Sequence, residues 1–323
     1  MKWLDLLHAR YHNDGLFFSR GWGDLELLQK SLVVKRPPGP IRSRPQKQGE
    51  SHRVIRFDSP FADHLPESSK IVEALIVLPA DWNDETPVCV QLAATGDEGF
   101  EARRTLVAEP LRQLGIGSVI LENPFYGSRR PSDQQGTYLH TVSDLWAMGL
   151  AVVSEARALV RWLRNQGFQH LGVAGVSMGG AMVSQVAALT REPLAVCACI
   201  APHCATPVFT EAVLSRYVDW RALGGEESGK ERLARQLDGS DIRLFPLPRR
   251  PDCAIWLPAK HDAYVHPESS LLAAESWPGS CVRWLNNSHV GSTMFHRNEY
   301  IRAIQEVLGR LSQTQPAHEA WLP

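Results

Sequence analysis

Gly175-Val176-Ser177-Met178-Gly179 sets a serine between two glycines in the pattern G-x-S-x-G. The string alone is weak, because glycine and serine are common in this chain. Its flanks make the argument. Leu171–Val176 is a short apolar run and Met178–Thr190 an apolar helical pattern, so Ser177 falls at a strand-to-helix turn of the nucleophile-elbow kind. Such a turn is sharp and strained, and a Cβ on either flanking residue would strike the neighbouring strand or helix. A serine hydroxyl attacks a carbonyl only once a base takes its proton, and in this arrangement the order along the chain is Ser, then Asp or Glu, then His. Asp262 follows the apolar run Cys253–Leu257, and His289 follows Cys281–Leu285 and precedes the last helical pattern. Asp252 lies at the wrong end of its run, His296 is close to or inside the last helix, and His318 sits in a Pro-flanked tail expected to be mobile. Ser177, Asp262 and His289 are therefore the expected nucleophile, orienting acid and base. Two backbone N–H groups should face the developing oxyanion: Met178, and Thr95 or its neighbour Ala94 in the loop after Pro87–Ala93. Many hydrolases carry His-Gly at that loop, whereas this chain has Ala93-Ala94, so loop geometry there rests on Gly96.

The elements that must position these residues alternate between strand-like and helical. Apolar, β-branched runs at Glu73–Pro79, Pro87–Ala93, Gly117–Glu122, Leu171–Val176, Leu194–Ile200, Cys253–Leu257 and Cys281–Leu285 read as strands, with Arg53–Phe57 as a further edge strand. Several are continuously apolar, as strands covered on both faces are. Helical periodicity runs over Glu98–Leu114, Val142–Asn165, Met178–Thr190, Pro267–Ser276 and Arg297–Leu311, with Ser143-Asp144 as the expected cap of the second. The fold class is α/β: a mostly parallel sheet with helices on both faces. Residues 202–252 interrupt the rhythm with polar helices at Phe209–Tyr217 and Glu226–Leu237, and are expected to form a small lid. Residues 1–52 are expected to be an N-terminal basic arm with helices, and 53–323 the main domain.

The 323 residues carry a formal net charge of -1, with 34 basic and 35 acidic side chains. That argues against nucleic acid as a partner, and no recognition helix or aromatic-interleaved basic sheet accompanies the basic segment. The balance is uneven: residues 1–57 hold 11 basic and 5 acidic side chains, leaving a mildly acidic body. Trp3, Leu4, Leu7 and Tyr11 share one face if residues 2–12 are helical, and that face either packs on the body or, with the arginines that follow, holds the protein on an anionic lipid surface. No apolar run reaches the roughly 18 residues of a membrane-spanning helix, and the start lacks a signal-peptide pattern, so a cytoplasmic location is expected, with peripheral membrane contact one of the two readings of that face. The six cysteines fall mostly in strand-like runs, where the usual role is a small buried hydrophobe. Cys197, Cys199, His203 and Cys204 lack paired C-x-x-C spacing, so a metal is not expected. Arg103 and Arg104 could meet a substrate headgroup through bidentate contacts or brace the fold, and Glu122 at a strand end could touch substrate or tie down loops.

Arg20-Gly-Trp-Gly23, Ala94-Thr-Gly-Asp97, Arg103-Arg-Thr-Leu106, Leu121-Glu-Asn-Pro-Phe-Tyr-Gly127, Ser143-Asp144, Gly175-Val-Ser-Met-Gly-Gly180 and Asp262-Ala-Tyr264 together resemble the α/β-hydrolase domain-containing protein 18 family, from about residue 15 to the final helix. The resemblance implies an α/β-hydrolase fold, a Ser177, Asp262 and His289 triad, no cofactor, and acyl esters of membrane phospholipids as the substrate class, cardiolipin-like in mitochondrial eukaryotic members. This chain departs from those members in its compact segment between Cys204 and Pro251 and in having no evident mitochondrial presequence. Rival expectations are acyl transfer or peptide cleavage by the same three residues, and a non-catalytic lipid-binding or scaffold module.

Overall fold

The computed structural model describes residues 2–12, 15–31, 40–41 and 50–313. Most of residues 31–52, a stretch rich in proline and arginine, and the tail that holds His318 lie outside the described residues.

Eight strands form one sheet: β1 (His52–Asp58), β2 (Ile71–Val77), β3 (Val88–Leu92), β4 (Gly117–Leu121), β5 (Leu171–Val176), β6 (Ala195–Cys199), β7 (Ala254–Leu257) and β8 (Cys281–Val282). Their order is β1-β2-β4-β3-β5-β6-β7-β8. β2 runs antiparallel to both neighbours. The pairings from β4 to β8 are parallel. Every residue of β3, β4 and β6 is buried, which is why these segments read as continuous apolar runs. At the edge, β1 alternates instead, burying Ile55 and Phe57.

The helices used below are α1 (Lys2–His12); α2, assembled from Glu101–Arg103, a π turn Arg104–Ala108 and Glu109–Gln113; α3 (Val142–Asn165); α4 (Met178–Leu189); α5 (Glu226–Leu237); α6 (Pro267–Glu275); α7 (His289–Phe295); and α8 (Arg297–Gln313). Successive strand residues point to opposite layers. Val173 and Val196 pack in the core with residues of α3 and α4. Ala174, Cys197 and Ile255 pack in a second cluster with Leu111 of α2 and with Ala303, Ile304 and Leu308 of α8. Cys89, Cys197, Cys199 and Cys253 belong to that second layer. The cap of α3 is Thr141 rather than Ser143: Thr141 Oγ1 accepts from the Asp144 N–H at 3.1 Å, and the Asp144 carboxylate accepts from the Thr141 N–H at 2.9 Å. Ser143 is used elsewhere, its Oγ accepting the Asp24 N–H at 2.9 Å.

The N-terminal segment is not a separate arm where it is described. Phe17 and Phe18 are buried in the main core, and Phe17 bridges to Val218. α1 lies against α7 through Asp5 and Ala9, both buried, while Trp3, Leu7 and Tyr11 point to solvent at 64%, 44% and 73% exposure. Its apolar face is therefore not the face that packs on the body. The insertion after β6 is also packed, with Phe209, Val213, Leu214, Leu233 and Leu237 in the main core. The helix expected over Phe209–Tyr217 is split into Thr206–Thr210 and a 3-10 turn Val213–Tyr217, because Ala212 adopts extended backbone between them.

Candidate active site

Ser177 joins β5 to α4 with φ +55° and ψ −119°, a backbone conformation that a side chain adopts only under constraint. The constraint is visible on both sides. The Ser177 N–H donates to the Cys199 carbonyl at the end of β6 at 2.8 Å. A Cβ on Gly175 would lie 2.3 Å from the Gly179 carbonyl carbon, and one on Gly179 would lie 2.4 Å from the Leu92 carbonyl oxygen at the end of β3. The turn is thus as tight as the two glycines allow.

Asp262 sits past the end of β7 and is 1% exposed. Its Oδ1 accepts from the Tyr264 and Val265 N–H groups at 2.8 and 2.7 Å, which fixes the carboxylate plane. Its Oδ2 lies 2.7 Å from Nδ1 of His289. With Nδ1–H committed to Asp262, Nε2 is the nitrogen left to accept a proton. His289 is the first residue of α7, whereas the sequence suggested a loop; Ser288 caps this short helix by accepting the Gly291 N–H. The Tyr264 ring lies on the His289 ring, centroids 5.0 Å apart.

Ser177 and His289 line one cavity of about 540 Å³, together with Ala94, Thr95 and Met178. Thr95 Oγ1 lies 3.6 Å from the Met178 sulfur, so the loop after β3 touches the elbow. The Thr95 and Met178 N–H groups donate to no group among the described residues. The rest of the wall is mainly apolar, with Phe17, Tyr138, Leu145 and Met182 from the body and Val208, Phe209, Leu214 and Leu237 from the insertion, which therefore roofs the cavity.

Arg103, Arg104 and Glu122, read from the sequence either as substrate contacts or as braces of the fold, are not among the described residues that line this cavity. Arg103 is buried and spends its guanidinium on Asp97 at 2.8 Å and on the carbonyls of Leu121 and Gly99 at 2.6 and 2.7 Å. Arg104 pairs with Glu101 and Glu109. Glu122 is 1% exposed, near the Gly99 N–H of the loop after β3 and 3.8 Å from Arg103. Burial pushes the carboxyls of Glu122 and Asp97 above their ordinary values, with Arg103 opposing the shift. Arg103 and Glu122 thus brace the loop after β3, at Asp97 and Gly99, whereas Arg104 stays on its own helix. Among the described residues no arginine or lysine lines the cavity; the carboxylate that does, Glu98, is tied to Arg130 at 3.0 Å and to the Gly127 N–H at 2.8 Å. Residues that sequence reasoning missed are Asp5 and His8 of α1, Tyr264, and the lining of the insertion. Asp5 and His8 are more than 250 positions from the loops they touch, and neither belongs to a local motif.

The sequence profile of the family described as Alpha/beta hydrolase domain containing 18 matches residues 15–238 and 224–310. Among solved structures, the chain is similar to acetyl xylan esterase from Paenibacillus sp. R4, with 16% identity and a TM-score of 0.61 over 83% of this chain and 89% of that one. It is similar to Est1E from Butyrivibrio proteoclasticus with ferulic acid bound, with 14% identity and a TM-score of 0.54 over 76% of this chain and 96% of that one. It is also similar to XC6422 from Xanthomonas campestris, a serine hydrolase without a lid, with 16% identity and a TM-score of 0.52 over 85% of this chain and all of that one. At these identities the likeness is one of fold, and the fold is that of the α/β hydrolases.

Proposed function

We propose, starting from the fact that the chain belongs to the Alpha/beta hydrolase domain containing 18 family, that it is a serine hydrolase of carboxylic esters with apolar acyl groups. The observation that carries this reading is that Ser177, held in a strained turn, faces the same cavity as a histidine whose Nδ1 is 2.7 Å from a buried carboxylate.

Ser177 Oγ attacks the acyl carbonyl while His289 Nε2 takes its proton. Asp262 holds the ring tautomer and offsets the charge of the imidazolium that forms. The carbonyl oxygen becomes an oxyanion, for which the Met178 and Thr95 N–H groups are the candidate donors; one such donor typically contributes on the order of 10²–10³ in kcat. His289 then protonates the leaving alkoxide, and water, activated by the same histidine, releases the acid from Ser177.

The cavity supports the substrate class. About 540 Å³ lined chiefly by apolar side chains suits an acyl chain, and with no arginine or lysine on its walls among the described residues the reading places a phosphate headgroup outside it. Peripheral contact with an anionic lipid surface belongs to the same reading, because Trp3, Leu7 and Tyr11 stand exposed on the helix whose His8 reaches the cavity wall. The test is incubation of wild type and Ser177→Ala with a panel of short esters, triacylglycerol and phospholipids, read by mass spectrometry of the released acids. Release by wild type and none by the variant is expected; equal release by both, or none from any ester, would sink the reading.

A further inference from the structure

Asp5 is fully buried, at 0% exposure, on a helix whose large apolar side chains Trp3, Leu7 and Tyr11 face solvent. A carboxylate taken out of water is costly unless its oxygens are hydrogen-bonded, and here both are. Oδ2 accepts the N–H of Ala263 and the N–H of His289, each at 3.0 Å, and Oδ1 accepts the N–H of Val290 at 2.9 Å. Two of these donors begin α7 with the candidate base itself, and the third follows the candidate acid, Asp262. A single side chain from the first turns of the chain therefore joins two loops lying 258 and 284 or more positions away. One turn further along the same face, His8 Nδ1 lies 3.0 Å from the hydroxyl of Tyr264, whose ring covers His289.

We propose that Asp5 is a positioning residue of this hydrolase: it clamps the backbone on either side of the Asp262–His289 hydrogen bond and so sets the geometry of the base. The proposal rests on the reading of Ser177, Asp262 and His289 given above. Its chemistry follows from acceptor count. The carboxylate offers two oxygens and takes three N–H groups. An asparagine offers one oxygen and would turn an NH₂ group toward at least one backbone N–H, setting donor against donor. The clamp touches only the residue after Asp262 and the first two residues of α7, so its loss is expected to act on the placement of His289.

The test uses the full chain carrying Asp5→Asn, with folding checked by circular dichroism. Turnover of p-nitrophenyl acetate is expected to lose about 10- to 100-fold in kcat with KM within about threefold, the signature of a misplaced catalytic group. A readout that needs no turnover accompanies it. In the Ser177→Ala background, the low-field proton NMR signal of His289 Nδ1–H, assigned by its absence in His289→Gln, is expected to shift or disappear when Asp5→Asn is added. A folded Asp5→Asn protein with wild-type kcat and an unmoved low-field signal overturns the proposal and leaves the hydrolase reading standing. No ester turnover by wild type, with a low-field signal that still depends on Asp5, overturns the hydrolase reading alone. If Asp5→Asn does not fold, hydrogen exchange on wild type decides: protection of the Ala263, His289 and Val290 amides supports the clamp, and exchange at the rate of open loops overturns it.

Discussion

Gly179→Ala is predicted to cost activity through a defined displacement. Gly179 is the second residue of α4 and has ordinary helical backbone, so glycine is required there for space alone. A Cβ at this position would meet the Leu92 carbonyl oxygen at 2.4 Å and the Ala93 carbonyl oxygen at 2.8 Å, where ordinary contact begins near 3.4 Å. Relief needs about 1 Å of separation between the elbow and the end of β3. That strand end leads directly into Ala94 and Thr95, so the candidate oxyanion donor moves with it. Overpacking of this kind costs about 1–3 kcal/mol of stability. A 1 Å misplacement in a reacting site costs about 10² in rate, close to 2.7 kcal/mol of transition-state energy. The assay is kcat for p-nitrophenyl acetate alongside thermal unfolding, with Gly309→Ala as the control. Gly309 lies in α8 and a Cβ there would meet nothing within 4 Å, so that variant should gain about 0.5–1 kcal/mol at unchanged kcat. If Gly179→Ala keeps kcat within about twofold of wild type while the control behaves as expected, the packing argument fails.

Three further outcomes are expected. Ser177→Gly should be more stable than Ser177→Ala by about 1 kcal/mol, since glycine relieves strain of about 1–3 kcal/mol at φ +55° but adds about 0.5–1 kcal/mol of unfolded-chain entropy; equal unfolding midpoints would show the turn to be unstrained. Glu122→Gln should gain stability over wild type as pH rises: burial raises the Glu122 carboxyl above 4.5 in the folded state, so the native protein favours the protonated acid and pays increasingly once pH passes the unfolded value. Unfolding midpoints of the two proteins from about pH 4 to pH 8 check this, and a difference that does not grow toward high pH contradicts it. The double variant Trp3→Ser with Tyr11→Ser should lower co-sedimentation with phosphatidylglycerol vesicles and leave soluble-ester turnover within about twofold, since both side chains are exposed and off the cavity; undiminished vesicle binding would remove α1 from the contact.

The sheet was legible because β3, β4, β5 and β6 are buried on both faces and leave continuous apolar runs, and α3 because its 24 residues keep a steady helical period. The elbow was legible because its G-x-S-x-G string lies between an apolar run and a helical pattern, and the demand for Gly175 comes from Gly179, four residues on; the demand for Gly179 comes from Leu92 and Ala93 and shows only in the fold. What escaped depends on distance in sequence. Arg103 and Glu122 have the charge of substrate contacts, and only the folded chain shows that backbone carbonyls and Asp97 claim the first while burial encloses the second. α1 misleads for a related reason: its apolar residues suggest a packing face, yet the buried positions are Asp5 and Ala9, because the partner is a set of backbone N–H groups. The cap of α3 shifted from Ser143 to Thr141 because Ser143 is claimed by Asp24, 119 positions earlier.

Treating the folded protein with a fluorophosphonate and mapping the adduct by peptide mass spectrometry shows whether Ser177 is a nucleophile activated by His289. One adduct is expected, on Ser177, formed at least about 10²-fold more slowly in His289→Ala and absent in Ser177→Ala. A folded wild type that takes no label, or that takes it on another residue, contradicts that role for Ser177.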